Sequence, residues 1–121
     1  MPHLTLEYTN NLQALQPHRV LLALNRALAA AGHFEDADIK SRAIGFDTWC
    51  IGTSADEQAF VHIKLAILSG RSMLDKNALS SALLRVLCEE CKDMTKYSVQ
   101  LCVEVQEIER ESYTKKILPS V

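Results

Sequence analysis

The sequence has almost no excess charge: 13 Lys and Arg stand against 15 Asp and Glu, a formal net charge of -2. A broadly basic surface of the kind that grips nucleic acid or anionic membrane does not follow from that balance, so any anion-binding site has to be local. Long apolar runs are missing as well. Nothing approaches the roughly 20 apolar residues of a membrane-crossing helix, and the start, MPHLTLEYTNN, has neither the basic flank nor the apolar centre of a secretory signal. A cytoplasmic, soluble protein with no nucleic-acid and no membrane partner is the expectation. Metal-ligand spacing is also lacking. Cys88 and Cys91 form a C-x-x-C, but it falls late in an expected helix, without a second pair or a His at zinc spacing. Together with Cys50 and Cys102 they read as free, partly buried thiols of a reducing compartment, and no metal is expected.

What is present is enough for one core. The 121 residues are 48% hydrophobic, which suits a single domain over 1–121. In HLTLEY, Leu4, Leu6 and Tyr8 alternate with His3, Thr5 and Glu7, the period of a half-buried strand. From Pro17 the apolar residues Val20, Leu21, Leu24, Leu28 and Ala31 recur at helical spacing, with Pro17 suited to a first turn and Gly32 to a stop. Ile39 to Phe46 returns to period two, with Lys40 and Arg42 on one side and Ile39, Ser41 and Ala43 on the other. The pattern then repeats. FVHIKLAIL puts Val61, Ile63, Leu65 and Ile67 on one face. Ser72 and Asp75 read as a capping box that opens a helix buried through Leu79, Ala82, Leu83, Val86 and Leu87. Ser98 to Gln106 is the cleanest alternation, with Val99, Leu101, Val103 and Val105 on one side.

The two halves, approximately 1–58 and 59–121, align at an offset of 59, which sets HLTL over HIKL and Ile39 to Phe46 over Ser98 to Val105. The expected fold is therefore α/β: two tandem βαβ units, each with parallel strands and a right-handed crossover, forming a four-stranded sheet with two helices on one face. The other face is left uncovered and is partly apolar, so an oligomer is expected to cover it.

The chemistry centres on Pro2. Methionine is normally removed before so small a residue, which would leave a chain starting with a secondary amine. An α-amino group has a reference pKa of about 7.7 to 8.0, and burial or nearby cations push it down. Such an amine, neutral near pH 7, could take a proton beside a carbonyl and return it elsewhere. A plain alternative is that Pro2 is tolerated at the first residue of a strand, where no N–H is needed. Lys40 and Arg42 on one strand face, and Arg71 in a Gly-Arg-Ser turn at a helix start, are the cations placed to meet an acidic substrate. Each could instead be an ordinary surface charge. His3 and His62 occupy matching places in the repeat and read as structural, and Phe46 and Trp49 as packing residues.

Pro2-His3, Ile39-Lys40-Ser41-Arg42, Asp47-Thr48-Trp49, Phe60-Val61-His62 and Gly70-Arg71-Ser72 together resemble the 5-carboxymethyl-2-hydroxymuconate delta-isomerase family of the tautomerase superfamily, at nearly constant spacing over most of the chain and less in its last fifteen residues or so. The resemblance implies a cytoplasmic homotrimer without a cofactor, acting on a small acidic enol in aromatic compound catabolism by ketonisation or double-bond shift of a 2-hydroxymuconate-type dicarboxylate. It implies Pro2 as base and acid, with Arg42 and Arg71 binding carboxylate or steadying the dienolate. Lys40 stands where the family commonly has Arg, keeping the charge without the bidentate fork. Val61 matches Pro2 in the second half and offers no amine, so one site per chain follows, with Arg71 able to serve a site across a subunit interface. Two alternatives stay open: a promiscuous tautomerase of phenylpyruvate-type enols, and a noncatalytic trimer that binds a small acid or a protein.

Overall fold

The two strands that alternate around fully buried residues become the centre of the sheet. The computed structural model describes residues 1–121. In it β1 (His3–Thr9) and β3 (Ala59–Leu68) are antiparallel neighbours, flanked by β2 (Lys40–Phe46) and β4 (Val99–Ile108) in the order β2-β1-β3-β4. The outer strands are parallel to their inner partners. Each parallel pair is bridged by a helix, α1 (Pro17–Ala30) and α2 (Met73–Cys91). Both helices turn their apolar stripes to one face: Val20, Leu24 and Leu28 from α1 and Leu79, Leu83, Leu87 and Cys91 from α2 join Leu4, Leu6, Val61, Ile63, Leu65 and Ile67 in one core. The sheet is thus covered on one side, as the alternation requires.

The registers relate the halves more closely than the sequence offset does. Across β1 and β3, Thr5 pairs with Lys64, and Leu4 with Leu65 as Leu6 with Ile63. With residue i of the first strand matched to i + 59 of the third, that pattern is a local two-fold through Thr5–Lys64. The offset does not hold for the outer strands. Lys40 lies beside His3 and Cys102 beside His62, separations of 37 and 40, so β4 matches β2 at an offset of 62. The alignment of Ile39 to Phe46 over Ser98 to Val105 is corrected by three residues, and the second crossover contains the longer helix, 19 residues against 14. Arg42 consequently corresponds to Glu104, and Lys40 to Cys102.

Smaller departures have local causes. Ser72 Oγ accepts from Asp75 N at 3.1 Å, which is the serine half of the expected capping box; the reciprocal bond from the acid is not made. Ala31 falls beyond α1 and is exposed, because the chain turns into Gly32 at φ 81, the left-handed conformation that glycine adopts freely. β4, with the cleanest alternation, has no residue fully buried, since an edge strand has a neighbour on one side only. The uncovered face carries His3, Thr5 and Glu7, Lys40, Arg42 and Ile44, Phe60, His62, Lys64 and Ala66, and Cys102 and Glu104. Lys64 reaches Glu7 at 3.5 Å and His62 reaches Glu104 at 2.8 Å, so much of it is polar. Phe46 and Trp49 are half-buried, and Trp49 Nε1 donates to Gln58 O. No helix is long and apolar enough to cross a membrane.

Candidate active site

The amino end of β1 is where the sequence-selected residues converge. Pro2 is buried, with less than 2% of its surface exposed. Its carbonyl accepts from Lys40 N at 3.1 Å, which continues the β1–β2 pairing by one residue and fixes Lys40 beside the chain start. Lys40 Nζ donates to Asp38 O at 2.7 Å. Met1 then enters a cleft of about 290 Å³ lined also by His33, Phe34, Glu35, Asp38, Arg71 and Arg110. A larger groove, about 690 Å³, lies between α1 and α2 among Arg19, Arg85, Glu89 and Asp93, and it holds none of the residues singled out for chemistry.

Arg71 reaches the cleft because β3 ends at Leu68 and Gly70, at φ 117, turns the chain into α2. Its guanidinium donates through Nη2 to His33 O at 3.1 Å and through Nη1 to His33 Nδ1 at 3.2 Å, and lies over the Phe34 ring, 5.0 Å from the centroid. A guanidinium has only donors, so His33 Nδ1 is the acceptor and its ring proton sits on Nε2. Met1 and Arg71 line the same cleft of one chain.

Arg42 is not in this cleft. On the uncovered face its Nη2 donates to His3 Nδ1 at 2.7 Å, while His3 Nε2 faces Tyr113 Oη at 3.2 Å. The same donor logic puts the His3 proton on Nε2. Burial, reinforced by the Arg42 and Lys40 cations, holds His3 below its ordinary range, which favours that neutral form.

The electrostatics at the chain start lower the terminal amine on balance. Burial, then the Lys40 cation, lower the Met1 amine from its ordinary value of 8.0; Lys115 adds to this and Asp38 opposes it. Asp38 is itself engaged by Lys115 of the C-terminal segment, whose ammonium holds the carboxyl below its usual range. Arg110, Tyr113, Lys115 and His33 were not selected by sequence reasoning. Arg110 to Lys115 follow the last strand with no periodicity and no repeat partner, so only the fold could bring them here. The thiols are free, and burial pushes Cys91 up to about 11, away from nucleophilic duty. No group of three or more His, Cys, Asp or Glu could hold a metal ion.

Two parallel βαβ units joined antiparallel through their first strands, with an amino-terminal strand end opening on an arginine-lined cleft, define a tautomerase-type isomerase. The family model of 5-carboxymethyl-2-hydroxymuconate isomerase matches residues 2–117, and the chain belongs to that family. It is 33% identical over 88 residues to the 5-carboxymethyl-2-hydroxymuconate Delta-isomerase of Escherichia coli, covering 72% of this chain and 70% of that one. The crystal structure of a 5-carboxymethyl-2-hydroxymuconate isomerase from Deinococcus radiodurans R1 superposes with a TM-score of 0.88 at 33% identity, over 95% of this chain and 88% of that one. A fused 4-OT symmetric trimer shares the fold at 17% identity, TM-score 0.65, over 89% and 86% of the two chains.

Proposed function

We propose that the protein ketonises, or shifts a double bond in, a 2-hydroxymuconate-type dicarboxylate, with the amine of Pro2, freed by loss of Met1, as base and then acid. The observation that carries this reading is the cleft shared by Met1 and Arg71: removing Met1 would leave the Pro2 nitrogen facing the space that a guanidinium already lines. The amine takes the proton of the dienol hydroxyl, the electron pair moves along the conjugated chain to form the ketone, and the proton is returned to carbon. Atoms balance without a cofactor. Arg71 holds a carboxylate or the charge gathering on the dienolate, since its planar fork matches two oxygens. Lys40, close to the amine, supplies a point charge that disfavours the protonated form. Arg42 is held on the uncovered face by His3, so its contact with a carboxylate would run through the homotrimer, in which that face meets another chain. One site per chain follows, because the second half has Val61 inside the chain, with Cys102 and Glu104 where the first has Lys40 and Arg42. The cytoplasm and the catabolism of aromatic compounds are the setting this substrate class implies.

The test compares kcat/KM, followed by ultraviolet absorbance, for a hydroxymuconate dicarboxylate and for a phenylpyruvate-type enol. A charge-assisted hydrogen bond to a second carboxylate should favour the dicarboxylate by about tenfold or more. The reverse ranking would make the protein a general enol tautomerase. Turnover of neither substrate by chains lacking Met1 would leave a noncatalytic binding module.

A further inference from the structure

Two guanidiniums line the cleft, and the second has no structural duty that needs its charge. The pairing of β3 with β4 continues one residue past the end of β3 through Ser69 N, which donates to Ile108 O at 2.9 Å. Two residues further on, Arg110 is brought back over the Gly70 turn: its backbone N–H donates to Ser69 Oγ at 3.4 Å, and Nη2 to Ser69 O at 3.1 Å. A side chain at Gly70 would point towards Arg110, its Cβ 3.9 Å from Nη2. The guanidinium is therefore held by backbone carbonyl on one side, as Arg71 is held by His33 O. Neither arginine is within salt-bridge distance of a carboxylate. Of the two acids that line the cleft, Asp38 is engaged by Lys115, and Glu35 is exposed and makes no ion pair. Two oriented, unneutralised forks in one cleft match an anion with two separate carboxylates better than one with a single carboxylate.

We infer that Arg110 is a substrate-binding residue that holds the second carboxylate of the dicarboxylate, with Arg71 on the first. This rests on the site proposed above and deepens it. Arg110 then sets specificity without touching the proton that moves, so its loss should act on KM and leave kcat nearly unchanged.

The experiment uses the full chain lacking Met1, with Arg110→Gln, which keeps a donor for Ser69 O, and Arg110→Lys, which keeps the charge but not the fork. The expected result is a KM for the hydroxymuconate raised about tenfold to a hundredfold in Arg110→Gln and less in Arg110→Lys, with kcat within a few-fold. KM for a phenylpyruvate-type enol should not move. An unchanged dicarboxylate KM, or an equal rise for both substrates, overturns the inference. Calorimetric binding of hexanedioate and of hexanoate to the same proteins reads the contact without turnover. Weaker binding of hexanedioate alone in Arg110→Gln supports the role even if catalysis by Pro2 fails, and equal binding by wild type and variant refutes it even if catalysis stands.

Discussion

Chains that keep Met1, or whose Pro2 amine is acetylated, should turn over a hydroxymuconate about a hundredfold to ten-thousandfold more slowly than chains with a free Pro2. That is the range a positioned general base contributes, and an amide nitrogen has no basicity to offer. Separating the two populations by intact mass and measuring kcat on each is sufficient; equal rates would remove Pro2 from the mechanism. The pH dependence has a definite sign. Burial and the Lys40 cation push the Met1 amine below its ordinary value, and a Pro2 amine freed beside the same Lys40 should feel the same two effects. A base lowered in that way is neutral over a wider range, so the rate should rise with pH around a midpoint below that of an ordinary N-terminal amine. Replacing Lys40 by Gln removes a cation that opposes protonation. The midpoint should then move up and the rate at neutral pH should fall.

The largest effect on stability is expected at Leu65→Ala. Leu65 is fully buried at the centre of β3, opposite the equally buried Leu4, with the core that both helices enter packed around it. Truncating such a residue removes its transfer free energy and leaves a cavity, about 2–5 kcal/mol in all. Val103→Ala in β4 is the internal comparison, because that strand lies at the sheet edge and Val103 is half-buried; its cost should be well below that of Leu65→Ala. Urea unfolding at one fixed protein concentration checks both, since assembly would otherwise add a concentration term. Equal costs would mean that β4 is covered as completely as β3.

Much of the fold could be read from periodicity because β3 buries every second residue throughout and β1 does so from Leu4 to Leu6, and each helix has a stripe that can face only the sheet. The parallel pairing within each half follows from the helical crossover. Register was not readable in the same way. Three further residues in the second crossover shift β4 against β2, and the period-two pattern marks only the parity of that shift. An offset of 59 sets the inward Ile39 over Ser98 of the opposite face, an offset of 62 over Leu101 of the same one, but periodicity alone does not count the residues added. The strength of alternation also misjudged burial: Ser98 to Gln106 alternates most cleanly, yet its place at an edge leaves it half-exposed. In the site, Pro2 and Arg71 could be selected because a strand start and a glycine turn frame them. Arg110 could not. It is exposed, lies in a segment without periodicity, and gains meaning only when paired strands bring Ser69 and Ile108 side by side.

The burial of Pro2 also sets an order of events in the life of the chain. With under 2% of Pro2 exposed and its carbonyl tied to Lys40, the residue that follows the scissile bond is held in the folded sheet, which limits how far an aminopeptidase can draw the chain start into its own site. Excision should therefore happen on the nascent chain, before β1 takes its place between its neighbours. A molecule that folds first should keep Met1 and, on the proposed mechanism, stay masked. Aminopeptidase added to folded, Met1-bearing protein should release methionine far more slowly than the same enzyme added to urea-unfolded chains; release at equal rates would show that maturation needs no such timing.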